Sequence, residues 1–193
     1  NYLPTENKKK IAVIGAGPSG LAAATISAQR GHFVTLFDAD KEIGGQFNLA
    51  KQIPGKEEFY ETLRYFNKQI ALHQVEVKLN TRVTNEDLLK SDFDEIIIAT
   101  GIKPRALKIE GIEHQKVLSY LDVLKFKKPV GKRVAVIGAG GIGFDVSEYL
   151  SHDGPSTSQN IDAWLKEWGI DKTLGARSGI ENVKTEFHPS PRE

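Results

Sequence analysis

The sequence repeats one short pattern: IAVIGAGPSG at 11–20 and VAVIGAGGIG at 134–143. Each copy is an apolar run of strand length followed by G-x-G-x-x-G and then helix-forming residues. This order suits a buried parallel strand, a tight turn and a helix whose N-terminus faces the turn. In the first copy Gly15 permits the turn, Gly17 lets the backbone approach a ligand, and Gly20 lets helix and strand pack closely. The free N–H groups and positive dipole end of such a helix attract phosphate. A pattern of this kind restricts the chain to α/β folds with a mainly parallel sheet, and its duplication predicts two tandem nucleotide-binding domains.

The context of the first copy is complete. A helix is expected over 21–30, a second strand over 34–37, and Asp38 ends that strand. Asp38 stands near the roughly 20-residue spacing at which an acid reaches the ribose hydroxyls. Its charge would repel a 2′-phosphate, so the first site favours FAD or NAD over NADP. Beyond it come Gly44, Gly45 and Gln46, read either as a flexible loop or as backbone lying along a cofactor. A helix is expected over 56–73, with Phe59, Leu63, Phe66 and Ile70 on one face, then strands over 75–79 and 93–100. Ala99, Thr100 and Gly101 end the last strand at the carboxyl edge, where open α/β sheets bind ligands.

The second copy places Gly138, Gly140 and Gly143 as its turn glycines, and Pro18 of the first turn is replaced by Gly141. A short helix over 119–126 precedes it and a helix over 142–151 follows. The strand that would close this second unit, and with it the residue distinguishing NAD from NADP, is not visible. An amphipathic helix with Ile161, Trp164, Leu165 and Trp168 on one face comes instead, with the two tryptophans expected in a core or, if exposed, as the mark of a domain interface. From Thr173 the pattern is polar and irregular. The expected organisation is a linker over 1–10, the first part of an FAD-binding domain over 11–104, and a connector with the start of an NAD(P)-binding domain over 105–193.

Composition narrows the function classes. A net charge of +1 over 193 residues speaks against a dedicated nucleic-acid binder, and no apolar run reaches membrane-spanning length. The chain has no cysteine, so it carries no disulfide, thiolate metal site or redox cysteine pair of its own. His32, His73, His114, His152 and His188 lack metal-ligand spacing, and no Ser/His/Asp or paired-carboxylate arrangement stands out. With no methionine either, the chain is expected to be an excerpt of a longer one.

GAGPSG at 15–20, Asp38, GGQ at 44–46, ATG at 99–101 and GAGGIG at 138–143 together resemble the two-dinucleotide-binding-domain flavoproteins. Within them, GGQFNLAKQIPGKEEFYETLRYF (44–66), ATGIKPR, SYLDVL, GGIGFD and STSQNI are similar to bacterial NADPH-dependent 2,4-dienoyl-CoA reductases. The resemblance implies tandem Rossmann-like FAD and NAD(P) domains, the second and the end of the first cut short. It also implies a cytoplasmic fatty-acid β-oxidation enzyme in which NADPH reduces FAD, and electrons then pass through a 4Fe-4S cluster to FMN. A barrel domain outside this chain would hold FMN and the dienoyl-CoA substrate, so no catalytic residue is expected here. By the same resemblance Ala16 and Gly17 would contact the pyrophosphate, Asp38 the ribose, and Gln46, Lys56 and Val83 other parts of FAD. Trimethylamine and histamine dehydrogenases share the architecture, and an NAD(H)-sensing module without redox chemistry is a further alternative.

Overall fold

The computed structural model describes residues 2–175, 177–180 and 189–193, so His188 lies outside the described residues. The chain divides into two compact units. One gathers the chain up to Leu49 with Phe59–Ile112, and the other gathers Ala50–Glu58 with the chain from Glu113 onward.

The first unit is built on β1 (Lys10–Ile14), α1 (Pro18–Gln29), β2 (Phe33–Phe37), β3 (Glu76–Lys78) and β4 (Glu95–Ile98). Two short helices and one long one complete it: α2 (Phe47–Ala50), α3 (Glu58–Leu72) and α4 (Asn85–Leu89), numbered here in chain order with α1. The four strands form one sheet in the order β3-β2-β1-β4, and every pairing is parallel. Register follows from the alternation of side chains: Ile11 lies beside Val34, and Val13 between Leu36 and Ile97. These residues share a core with Leu21 and Ala24 of α1 and Leu63 of α3, with Val13, Leu21 and Leu36 wholly buried. On the alternate positions Ala12 is buried, whereas Ile98 of β4 is 73% exposed.

Helix α1 starts at Pro18, a residue pre-set for the first helical position. It ends at Arg30, after which Gly31 takes a φ of +101° that other residues avoid. The leader expected as a linker is attached to this unit. Thr5 donates its N–H to the Arg30 carbonyl at 2.8 Å, Lys9 donates to His32 Nδ1 at 3.2 Å, and Lys10 already belongs to β1. Helix α4 is an element the sequence reading passed over. Its start is marked by a capping box in which Thr84 and Asp87 satisfy each other's backbone N–H groups.

The second unit contains α5 (Tyr120–Leu124), α6 (Gly141–Ser151) and α7 (Ile161–Glu167), with α5 packed on α6. Its buried apolar residues are Ile53, Val123, Leu124, Val146 and Leu150. The strand expected over 134–137 is not formed. A parallel strand is held only by neighbouring strands, and the described residues of this unit offer no strand for it to join. Val134 N–H donates to the Glu193 carbonyl at 2.8 Å, and Ile137 is 86% exposed. Trp164 and Trp168, expected in a core, stand 40% and 60% exposed, their rings stacked at a tilt with centroids 6.0 Å apart. The seven-residue helix packs against the short turn Thr157–Gln159, an element too small to cover two indole rings. No described helix is long and apolar enough to cross a membrane.

Candidate functional site

The first Gly-rich turn joins the carboxyl end of the central strand β1 to α1. Gly15 N–H donates to the Phe37 carbonyl at 2.7 Å, which ties the turn to the end of β2. Gly15 has a φ of +106°, and a Cβ there would lie 2.4 Å from the Ala99 carbonyl oxygen. A Cβ on Gly20 would lie only 1.8 Å from the Gly15 carbonyl oxygen. Both glycines are therefore required by packing alone, and Ala99 and Thr100 are part of the turn's wall.

Gly17 differs. It caps α1 with ordinary extended backbone (φ −74°), has no side-chain cap, and a Cβ there would meet nothing within 4 Å. The space over its backbone is open, and the first-turn N–H groups of α1 have no partner inside the helix. Gly45 borders that space, since a Cβ on it would come 3.0 Å from the Gly17 Cα. Gly44 N–H donates to the Ala16 carbonyl at 2.7 Å and fixes the 44–46 loop beside the turn. Asp38 is oriented from the end of β2. One carboxylate oxygen accepts the Ala16 N–H at 2.5 Å and the other accepts the Asp40 N–H at 2.7 Å. This leaves further lone pairs on a carboxylate that points at the turn.

The structure thus brings Gly15, Ala16, Gly17, Pro18, Gly20, Asp38, Gly45 and the Ala99–Gly101 edge into one cradle. Such a cradle, with donors aimed at an open space and an acid at its side, fits the pyrophosphate and ribose of a dinucleotide. Gln46 is exposed, and Val83 is half-buried just before the Thr84 cap of α4. Lys56 belongs to the second unit, where its Nζ pairs with Asp145 Oδ1 of α6 at 2.5 Å.

The second turn has the same local geometry. Gly138 has a φ of +110°, Gly140 caps α6 with φ −86°, and a Cβ on Gly143 would lie 2.2 Å from the Gly138 oxygen. Its surroundings differ, because a Cβ on Gly138 would meet nothing within 4 Å whereas Gly15 is walled by Ala99. Sequence reasoning missed Asp145, whose acidic side chain lies inside α6 at GGIGFD and gave no spacing signal.

Comparison with known proteins agrees with this geometry. The family model described as pyridine nucleotide-disulphide oxidoreductase matches residues 9–158. A bilirubin reductase of Mediterraneibacter gnavus is 34% identical over 155 residues, covering 80% of this chain and 24% of that protein. The solved structure of a 2-naphthoyl-CoA reductase in complex with 2-naphthoyl-CoA is 38% identical with a TM-score of 0.75, covering 78% of this chain and 23% of the other. Histamine dehydrogenase from Rhizobium sp. 4-9 is 26% identical with a TM-score of 0.65, over 78% of this chain and 25% of the other. The chain spans about a quarter of the length of these relatives. With its Rossmann-like parallel sheet and glycine cradle, the chain belongs to the pyridine nucleotide-disulphide oxidoreductase family.

Proposed function

We propose that this chain is the FAD- and NADPH-binding electron-transfer portion of a 2,4-dienoyl-CoA reductase working in the cytoplasm. The observation that carries the reading is the open cradle over Gly17, bordered by Gly45 and flanked by Asp38. In it Ala16, Gly17 and Pro18 face the FAD pyrophosphate and the N-terminus of α1 offsets its charge. Asp38 accepts hydrogen bonds from the ribose. Gln46, Val83 and the Ala99–Gly101 edge contact the cofactor further along. Gly138, Gly140 and Gly143 hold NADPH by the same physics at the start of α6. When bound, FAD supplies the step from two-electron hydride chemistry to onward electron transfer. The chain's own residues bind and orient, and they carry no proton-transfer role.

Onward transfer through a 4Fe-4S cluster and FMN to an unsaturated acyl-CoA rests on the resemblance of the 44–66 stretch. The likeness to a reductase bound to a CoA thioester supports the substrate class. The likeness to histamine dehydrogenase favours a second reading, an amine dehydrogenase of the same architecture. Anaerobic addition of NADPH to the intact protein separates the two. The reductase reading expects the flavin absorption band to bleach with NADPH and NADPH oxidation to accelerate with a 2,4-dienoyl-CoA. Bleaching by an amine and not by NADPH would replace it with the second reading.

A further inference from the structure

Gly45 borders the open space over Gly17, so the position of the 43–46 loop sets how wide that space is. Gly44 and Gly45 take φ values of +121° and +50°, and a pair of glycines resists displacement little by itself. What keeps Gly45 in place must come from partners. Gly44 N–H donates to the Ala16 carbonyl at 2.7 Å, and Phe47 N–H donates to the Gly44 carbonyl at 3.0 Å. A side chain adds to these backbone bonds. Asn48 Nδ2 donates to the Ile43 carbonyl at 2.9 Å, and so closes the loop across both glycines.

Asn48 stands on α2, which its neighbours fix. Phe47 packs on Phe59 of α3 with ring centroids 4.3 Å apart, and Leu49 is buried. The Asn48 carboxamide also fills the space beside Gly44, where a Cβ would lie 2.9 Å from Nδ2 and 2.9 Å from Leu63 Cδ2. All of these residues belong to the first unit, together with the Gly-rich turn they face.

We propose that Asn48 is a positioning residue for the dinucleotide: its carboxamide clamps the Ile43 carbonyl and so holds Gly45 at the border of the cradle. The proposal rests on reading that cradle as the FAD pyrophosphate site. Asn48 acts through Ile43 and Gly44, not on the cofactor itself.

The test is FAD titration of the intact protein, stripped of flavin, in the wild type, Asn48→Leu, Asn48→Gln and Gly17→Ala. Asn48→Leu keeps the branched shape and removes the donor. It is expected to weaken FAD binding about five- to tenfold, the scale of one hydrogen bond lost from the conformation that binds. Asn48→Gln keeps the donor and should recover most of that loss. In the flavin-free protein Asn48→Leu should also speed exchange of the Gly44 amide while β1 stays protected. A lower melting temperature in Asn48→Leu with full FAD affinity would show a role in stability alone and overturn the proposal. Equal losses of affinity in Asn48→Leu and Asn48→Gln would overturn it too. Weaker binding in Gly17→Ala alone would leave the cradle standing and remove only the role of Asn48. Full affinity in both Gly17→Ala and Asn48→Leu would mark failure of the cradle reading itself. Should Asn48→Leu not fold, Asn48→Ala, which also lacks the donor, is titrated in its place with the same outcomes.

Discussion

At the residue scale, the three glycines of the first turn do different work, and the structure separates them. Gly15 and Gly20 are excluded from bearing a side chain by neighbouring backbone, whereas Gly17 has free space and an unstrained φ. Gly20→Ala is therefore expected to destabilise the first unit by about 1–3 kcal/mol through overpacking. Gly17→Ala is expected to leave the melting temperature nearly unchanged and to weaken FAD retention, because its methyl occupies the space above the turn. Thermal melts and flavin content of the two purified variants check this. Undiminished FAD content in Gly17→Ala would mean the cofactor does not lie over Gly17. The residue roles of this turn were legible from spacing, since G-x-G-x-x-G has one steric solution between strand and helix. The Ala99 carbonyl as the wall behind Gly15 was not, because the two are joined only through the pairing of β1 with β4.

At the element scale, the helices were found wherever period and caps agreed. Helix α5 was expected over 119–126 and runs Tyr120–Leu124, closed at its start by a reciprocal capping box between Ser119 and Asp122. Helix α4 carried the same signature in Thr84 and Asp87, but it opens on Asn-Glu-Asp and buries no residue, so no apolar face marks it as α5 is marked by Val123 and Leu124. The Lys128 ammonium, 2.6 Å away, and the Ser119 hydroxyl hold the Asp122 carboxyl down at about 2. A carboxyl depressed on folding stabilises above its ordinary value, and that contribution is lost as pH falls toward the folded value. Amide protection of α5 should accordingly fall between about pH 4 and pH 2. Asp122→Asn should abolish that dependence, as read by hydrogen exchange across the acid range. The 134–137 run marks the opposite case. Its composition is that of β1, yet a strand exists only in a ladder, and no strand of its own unit stands beside it among the described residues.

At the scale of the whole molecule, the chain does not divide where its motifs suggest. The 50–58 segment, which follows the GGQ loop without a break in sequence, belongs to the second unit, where Lys56 pairs with Asp145 and Glu57 accepts from Ser158. Leu150→Ala, a truncation in the second unit's core worth about 2–5 kcal/mol, is expected to raise hydrogen exchange in α5, α6 and 50–58 while leaving β1 and β2 protected. Unchanged exchange in 50–58 would contradict this allocation. The sequence by itself determined the α/β class, the turn glycines and Asp38, because these depend on contacts between residues close along the chain. The order β3-β2-β1-β4, the exposure of Trp164 and Trp168, the missing ladder at 134–137 and the partnership of Lys56 with Asp145 were decided only by the tertiary structure. Each depends on which distant segment arrives alongside, and local propensity carries no record of that.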